Sequence, residues 1–137
     1  MIPAEARLPL RHPSTWIVLA PAIGLVLLGL LFIARPTAGA AIFGIPAPDW
    51  PGRWYLVAIG LRDLAFGLYV LALALFASAR AVGLVLAITV LIPAGDIVIV
   101  ALERGLASPL HLALHAASGT YMAAASAWVL TRGGGTA

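Results

Sequence analysis

The hydrophobic and polar positions fall into four long apolar runs separated by short, polar or helix-breaking links. The runs cover Thr15–Ala34, Trp54–Ala77, Ala81–Leu102 and Leu110–Leu130. A helix needs about 20 mostly apolar residues to cross a hydrocarbon core roughly 30 Å thick, and each run meets that length. The runs are continuously apolar and lack the strict alternation of a membrane β-barrel strand. Lipid offers no hydrogen-bond partners, so each span is expected to be helical.

The links support this reading. Arg35-Pro36 ends the first run, and residues 37–53 are rich in Gly, Pro and Ala, too broken for a span and too apolar for free solvation. A short interfacial or re-entrant piece is expected there, with Trp50 and Trp54 at headgroup level. The second and third runs join at Ser78-Ala79-Arg80, and the third and fourth between Glu103 and Pro109. Short links make successive helices antiparallel neighbours. The expected fold is therefore all-α: one transmembrane domain over residues 1–137, an up-down-up-down four-helix bundle. Pro21 and Pro93 are expected to kink their spans. Gly60, Gly67 and the small residues at 123–127 are expected to permit close helix packing.

Composition excludes several other classes. The chain is 63% hydrophobic and 9% charged over 137 residues, against about 45–50% and 25% in soluble domains; too few polar residues remain to cover a water-exposed surface. Without cysteine, neither disulfides nor thiolate chemistry is available. The net charge of +3 comes from eight single, scattered arginines and lacks the clustered basic stripe of a nucleic-acid binder. Read as a signal peptide, the first run would be cleaved near Ala38-Gly39-Ala40, but it exceeds the usual 7–15-residue signal core. Arginine placement sets the orientation. Arg7, Arg11, Arg80 and Arg132 share the side of the termini, against Arg35, Arg53 and Arg104 with Asp49 and Glu103 opposite. This bias predicts a multi-pass protein with cytoplasmic termini.

Ionisable residues within spans cost a few kcal/mol each on insertion scales. Here they are Arg62, Asp63, Asp96, His111 and His115. At 1.5 Å per residue, Arg62 lies ~12 Å, Asp96 ~9 Å and His115 ~8 Å from the face opposite the termini. Three helices thus place polar groups in one slab, which predicts a shared pocket. Arg62 and Asp63 project about 100° apart, so each is expected to find its partner on another helix: Arg62 on Asp96, and Asp63 on His115 or His111. A purely structural reading, in which these pairs lock the helices in register, competes with this one.

The histidines sit at i and i+4, as zinc-binding pairs do, but no acidic residue lies between them in an HExxH arrangement, and no metal is expected. Acid–base chemistry suits them better, since histidine titrates near neutrality. Asp96 and His115 are the expected acid–base pair, with Asp63 orienting the histidine. Arg62 would bind an oxyanion or carboxylate, His111 would line the pocket, and Tyr121 would donate a hydrogen bond either from deeper within the pocket or simply to a neighbouring helix. Phosphate-loop and hydrolase-elbow patterns are absent, so no cofactor is expected.

The stretch Gly60-Leu61-Arg62-Asp63-Leu64-Ala65-Phe66-Gly67 resembles the G-x-R-D-x-x-x-G signature of a family of small four-helix membrane proteins of unknown function, found in bacteria and fungi. The resemblance implies the bundle. It also implies an aspartate in the third span and a histidine early in the fourth, which Asp96 and His115 (or His111) match. It supplies no activity. The leading expectation is a membrane enzyme that isomerises, cyclises or opens an epoxide in a lipophilic small molecule, its partners being the bilayer and that molecule. The alternatives are a proton-coupled transporter, acting as a homo-oligomer because four short helices enclose little volume, and a membrane scaffold.

Overall fold

The computed structural model describes residues 6–9 and 11–132. Its elements are α1 (Pro13–Ala34), α2 (Pro36–Phe43), α3 (Arg53–Phe76), α4 (Ala79–Thr89), α5 (Leu91–Arg104) and α6 (Pro109–Arg132), with a 3-10 turn at Gly105–Ala107 before α6. Three helices begin on a proline, whose missing N–H costs nothing in a first turn. Among the described residues, three stretches are long and apolar enough to cross a membrane: Pro13–Ala34, Arg53–Phe76 and Ala79–Ala107. α6 is as long as α3 at 24 residues, but its sequence is richer in Ser, Thr, His and Ala. Large apolar side chains such as Leu27, Phe76 and Leu102 face outward, as they do when the surroundings are lipid.

The third apolar run is not one continuous helix. It breaks at Val90 between α4 and α5. Pro93 has no N–H for the Thr89 carbonyl four residues back. One turn earlier the Thr89 hydroxyl donates to the Val85 carbonyl at 2.7 Å, a back-bond that also favours bending. Pro21 has a different outcome: α1 continues through it. The Ile17 carbonyl, which Pro21 cannot serve, accepts a hydrogen bond from Tyr121 Oη at 3.0 Å.

The helices pack as two pairs, α1 on α3, and α4 and α5 on α6. The first pair depends on glycine. A Cβ on Gly29 would stand 2.5 Å from the Leu64 backbone nitrogen, and one on Gly60 2.8 Å from the Gly29 carbonyl. In the second pair, Ser126 Oγ donates to the Gly83 carbonyl at 2.8 Å. The pairs meet in a core of Val18, Ala22, Val70, Ala74, Leu86, Met122 and Val129 among others. This core lies in the half nearest the chain ends, where the Ala79 N–H also donates to the Ala6 carbonyl. In the opposite half, beyond the break, α5 keeps α6 as its main neighbour and has no substantial packing on α1 or α3. The pairs therefore separate there, and α2, packed on α1 and α3, stands at the end of the opening.

Candidate functional site

A cavity of about 310 Å³ occupies the separation between the pairs. Every element from α1 to α6 contributes to its wall. The polar lining is Arg62 and Asp63 from α3, Thr89 from α4, Asp96 from α5, and His115 and Ser118 from α6; the rest is mainly aliphatic and aromatic. The slab of polar groups expected from helix depth is thus one physical space for Arg62, Asp63, Asp96 and His115.

His115 is the best-defined group in it. Its Nε2 lies 2.9 Å from the Phe43 carbonyl. A carbonyl only accepts, so Nε2 carries a proton and donates it. The other nitrogen, Nδ1, lies 3.5 Å from Asp96 Oδ2, and both side chains are mostly buried. The separation is that of an ion pair rather than a tight hydrogen bond. With Nε2 engaged by the Phe43 carbonyl, Nδ1 is the ring nitrogen turned toward Asp96. The Phe43 ring packs edge-on against the imidazole at 4.9 Å, limiting ring rotation.

The acceptor for His115 comes from the C-terminus of α2. The last carbonyls of a helix have no partner within it, and positive or donating groups are favoured at that end. Three side chains supply donors here. His115 serves Phe43, His111 Nε2 lies 3.0 Å from the Ala41 carbonyl, and Arg104 donates to the Gly44 carbonyl at 3.3 Å. With the His111 Nε2 proton engaged, Nδ1 hydrogen-bonds with Ser108 Oγ, 2.7 Å away. Gly44 closes α2 in the left-handed region at φ 101°, and a Cβ there would stand 2.6 Å from the His111 ring. Gly44→Ala combines left-handed strain of about 1–2 kcal/mol with this clash. It is expected to lower the melting temperature in detergent, and an unchanged melting curve would contradict the packing of α2 on His111.

Several expected contacts are realised differently. Arg62 pairs with its sequence neighbour: Arg62 Nη2 stands 3.4 Å from Asp63 Oδ1. Neither meets the partner expected on another helix. The 100° offset is bridged because the long arginine side chain folds back over the adjacent carboxylate. Arg62 remains 66% exposed while Asp63 is 13% exposed, so the guanidinium sits at the rim with most of its donors unused. The orienting of His115 belongs to Phe43 and Asp96, not to Asp63. His111 is outside the cavity wall, holding α2. Tyr121 is also outside it; of its two expected roles the hydrogen bond to a neighbouring helix is the one realised, its hydroxyl donating to the Ile17 carbonyl of α1. Among the described residues no three His, Asp or Glu side chains gather as a metal-ligand set.

Residues 22–129 match DUF4267, described as a domain of unknown function. The chain belongs to the DUF4267 family. The DUF4267 match runs from within α1 to within α6 and so includes every residue that lines the cavity. No curated protein and no solved structure matches the chain.

Within this DUF4267 domain, the participants that sequence reasoning missed are the Phe43 carbonyl, Thr89 and Ser118. Thr89 had a signal: it stands four residues before Pro93, where a carbonyl is released. A backbone acceptor such as Phe43 carries no residue-type signature at all.

Proposed function

We propose that the protein is a small four-span integral membrane enzyme that performs cofactor-free acid–base chemistry on a lipophilic molecule. The observation that carries this reading is the His115–Asp96 pair. The pair lines a cavity that is otherwise mainly aliphatic and aromatic, with Nδ1 turned to Asp96 and the Nε2 proton held by the Phe43 carbonyl. The pair is suited to taking a proton from one substrate atom and returning it to another. Such a shift balances atoms and electrons with no external oxidant or reductant, as isomerisation, cyclisation and epoxide opening do. Arg62, at the rim, is placed to meet a polar substituent as it arrives, with Asp63 holding the guanidinium back.

A register lock would leave the ionisable groups closed against one another. The space between the two helix pairs and the underused guanidinium of Arg62 weigh against that reading. A cavity of about 310 Å³ also lies within the range of small-molecule sites, about 300–1,000 Å³. The direct test is gentle extraction of the purified protein followed by native mass spectrometry. A stoichiometric lipophilic adduct that is lost on replacing Asp96 and His115 together supports the reading. An adduct-free protein that also converts no member of a lipid-extract panel argues for the scaffold instead.

Four spans also carry a topological expectation. A reporter before Met1 and another after Ala137 should sit on the same side of the membrane, the cytoplasmic one by the arginine bias. Reporters on opposite sides would show that α6 does not cross.

A further inference from the structure

A second space adjoins the one at His115 and Asp96. A second cavity of about 340 Å³ lies between α1 and α6. It shares Gly24, Leu25, Leu28, Ser118 and Met122 with the first, so the two meet across a common wall. The outer arm adds Ala20, Pro21 and Tyr121. Its lining is apolar apart from the Ser118 hydroxyl and Tyr121, whose own hydroxyl is held by the Ile17 carbonyl. That bond ties α6 to α1 beside the arm, on the side of the chain ends. Gly24 stands at the junction, and a Cβ there would meet nothing within 4 Å.

We propose that the ligand is an elongated amphiphile with one oxygen-bearing polar end. Its head lies at Asp96 and His115, and its flexible aliphatic or isoprenoid chain runs past Gly24 and Ser118 into the arm between α1 and α6. This rests on the reading of the first cavity as a ligand site. Three observations lead to it. The polar groups are confined to the inner cavity and the outer arm has almost none, the division that a head and a tail require. The inner volume is at the lower end for a ligand site, whereas the adjoining arm accommodates the remainder of a longer molecule. The shared wall sets a glycine and a serine beside Leu25, Leu28 and Met122, and at these two small residues there is room for a chain that a larger side chain would close. A compact, fused-ring lipophile would instead remain in the inner cavity.

The test uses the full chain in lipid nanodiscs and photoreactive fatty alcohols as probes. One carries a diazirine beside the hydroxyl and another at the far end of a long chain. A short-chain version of the head-labelled probe serves as reference. Labelled peptides are located by mass spectrometry. The head-labelled probes are expected to mark α5 and α6 around Asp96 and His115, and the tail-labelled probe to mark α1 around Gly24 and α6 around Ser118. Gly24→Leu has space to fold, which an unchanged melting temperature verifies. It is expected to lower the ratio of long-chain to short-chain head labelling by about tenfold, the effect of losing contact with roughly two methylenes. If the head probes label the cavity but the tail label is spread evenly over the outer helix faces and Gly24→Leu leaves the ratio unchanged, the route through α1 and α6 is wrong and the cavity reading survives. If no probe labels the cavity wall, both fail.

Discussion

On the proposed acid–base function, Asp96→Asn is expected to leave the protein folded and to cut conversion of a lipophilic substrate by about 10²–10⁴-fold, the usual contribution of a general acid–base group. The reason is local. Asparagine preserves the shape of the side chain and a polar contact to His115 Nδ1, but it neither takes up nor releases a proton. Asp96→Leu should behave differently. It removes the polar side chain paired with a largely buried imidazole, and breaking a buried pair by removing one partner costs about 3–5 kcal/mol. The two Asp96 variants therefore separate chemistry from stability. His115→Gln provides the reciprocal check: its amide N–H still reaches for the Phe43 carbonyl that Nε2–H serves, so α2 stays anchored while the proton relay is gone. Melting temperature and conversion are to be read on the same preparations. A scaffold would show lowered melting temperatures in all three variants and no other change. Normal conversion by a well-folded Asp96→Asn/His115→Gln double variant would sink the catalytic assignment.

Gly60→Leu is expected to be among the most destabilising single changes in the chain. Overpacking normally costs about 1–3 kcal/mol, and here the obstacle is backbone rather than a yielding side chain. A Cβ at Gly60 would stand 2.8 Å from the Gly29 carbonyl and equally close to Phe32 Cβ. Within lipid, helix association depends on this close van der Waals fit rather than on a hydrophobic drive, so α1 and α3 would have to move apart along the contact. The same shift would displace Arg62 and Asp63, which follow within three residues. Gly95→Ala is the control, since a Cβ there meets nothing within 4 Å. It should be neutral or stabilising by up to about 1 kcal/mol through helix propensity. Thermal denaturation of the two variants in one detergent measures the difference. Equal melting temperatures would show that α1 and α3 do not approach as described.

The membrane character of the chain, its helical segments and the polar slab were legible in the sequence because they depend on local properties. Apolarity sustained over a bilayer's thickness identifies a span, and a fixed rise per residue converts position into depth. For that reason Arg62, Asp63, Asp96 and His115 were expected together, and Gly60 was expected at a close contact. The pairing of those groups followed no such rule. Whether Arg62 reaches Asp96 or folds back on Asp63 depends on how far apart α3 and α5 stand, and that separation arises from the break at Val90. Pro93 signalled a bend, but its direction depends on what the neighbouring helices leave open. The acceptors for His115, His111 and Tyr121 are the carbonyls of Phe43, Ala41 and Ile17. Any residue type presents such an oxygen, so only the meeting of helices in space decided which ones are used. Tertiary structure therefore turned the slab into a cavity walled by the His115–Asp96 pair, and assigned His111 and Tyr121 to holding its surroundings together.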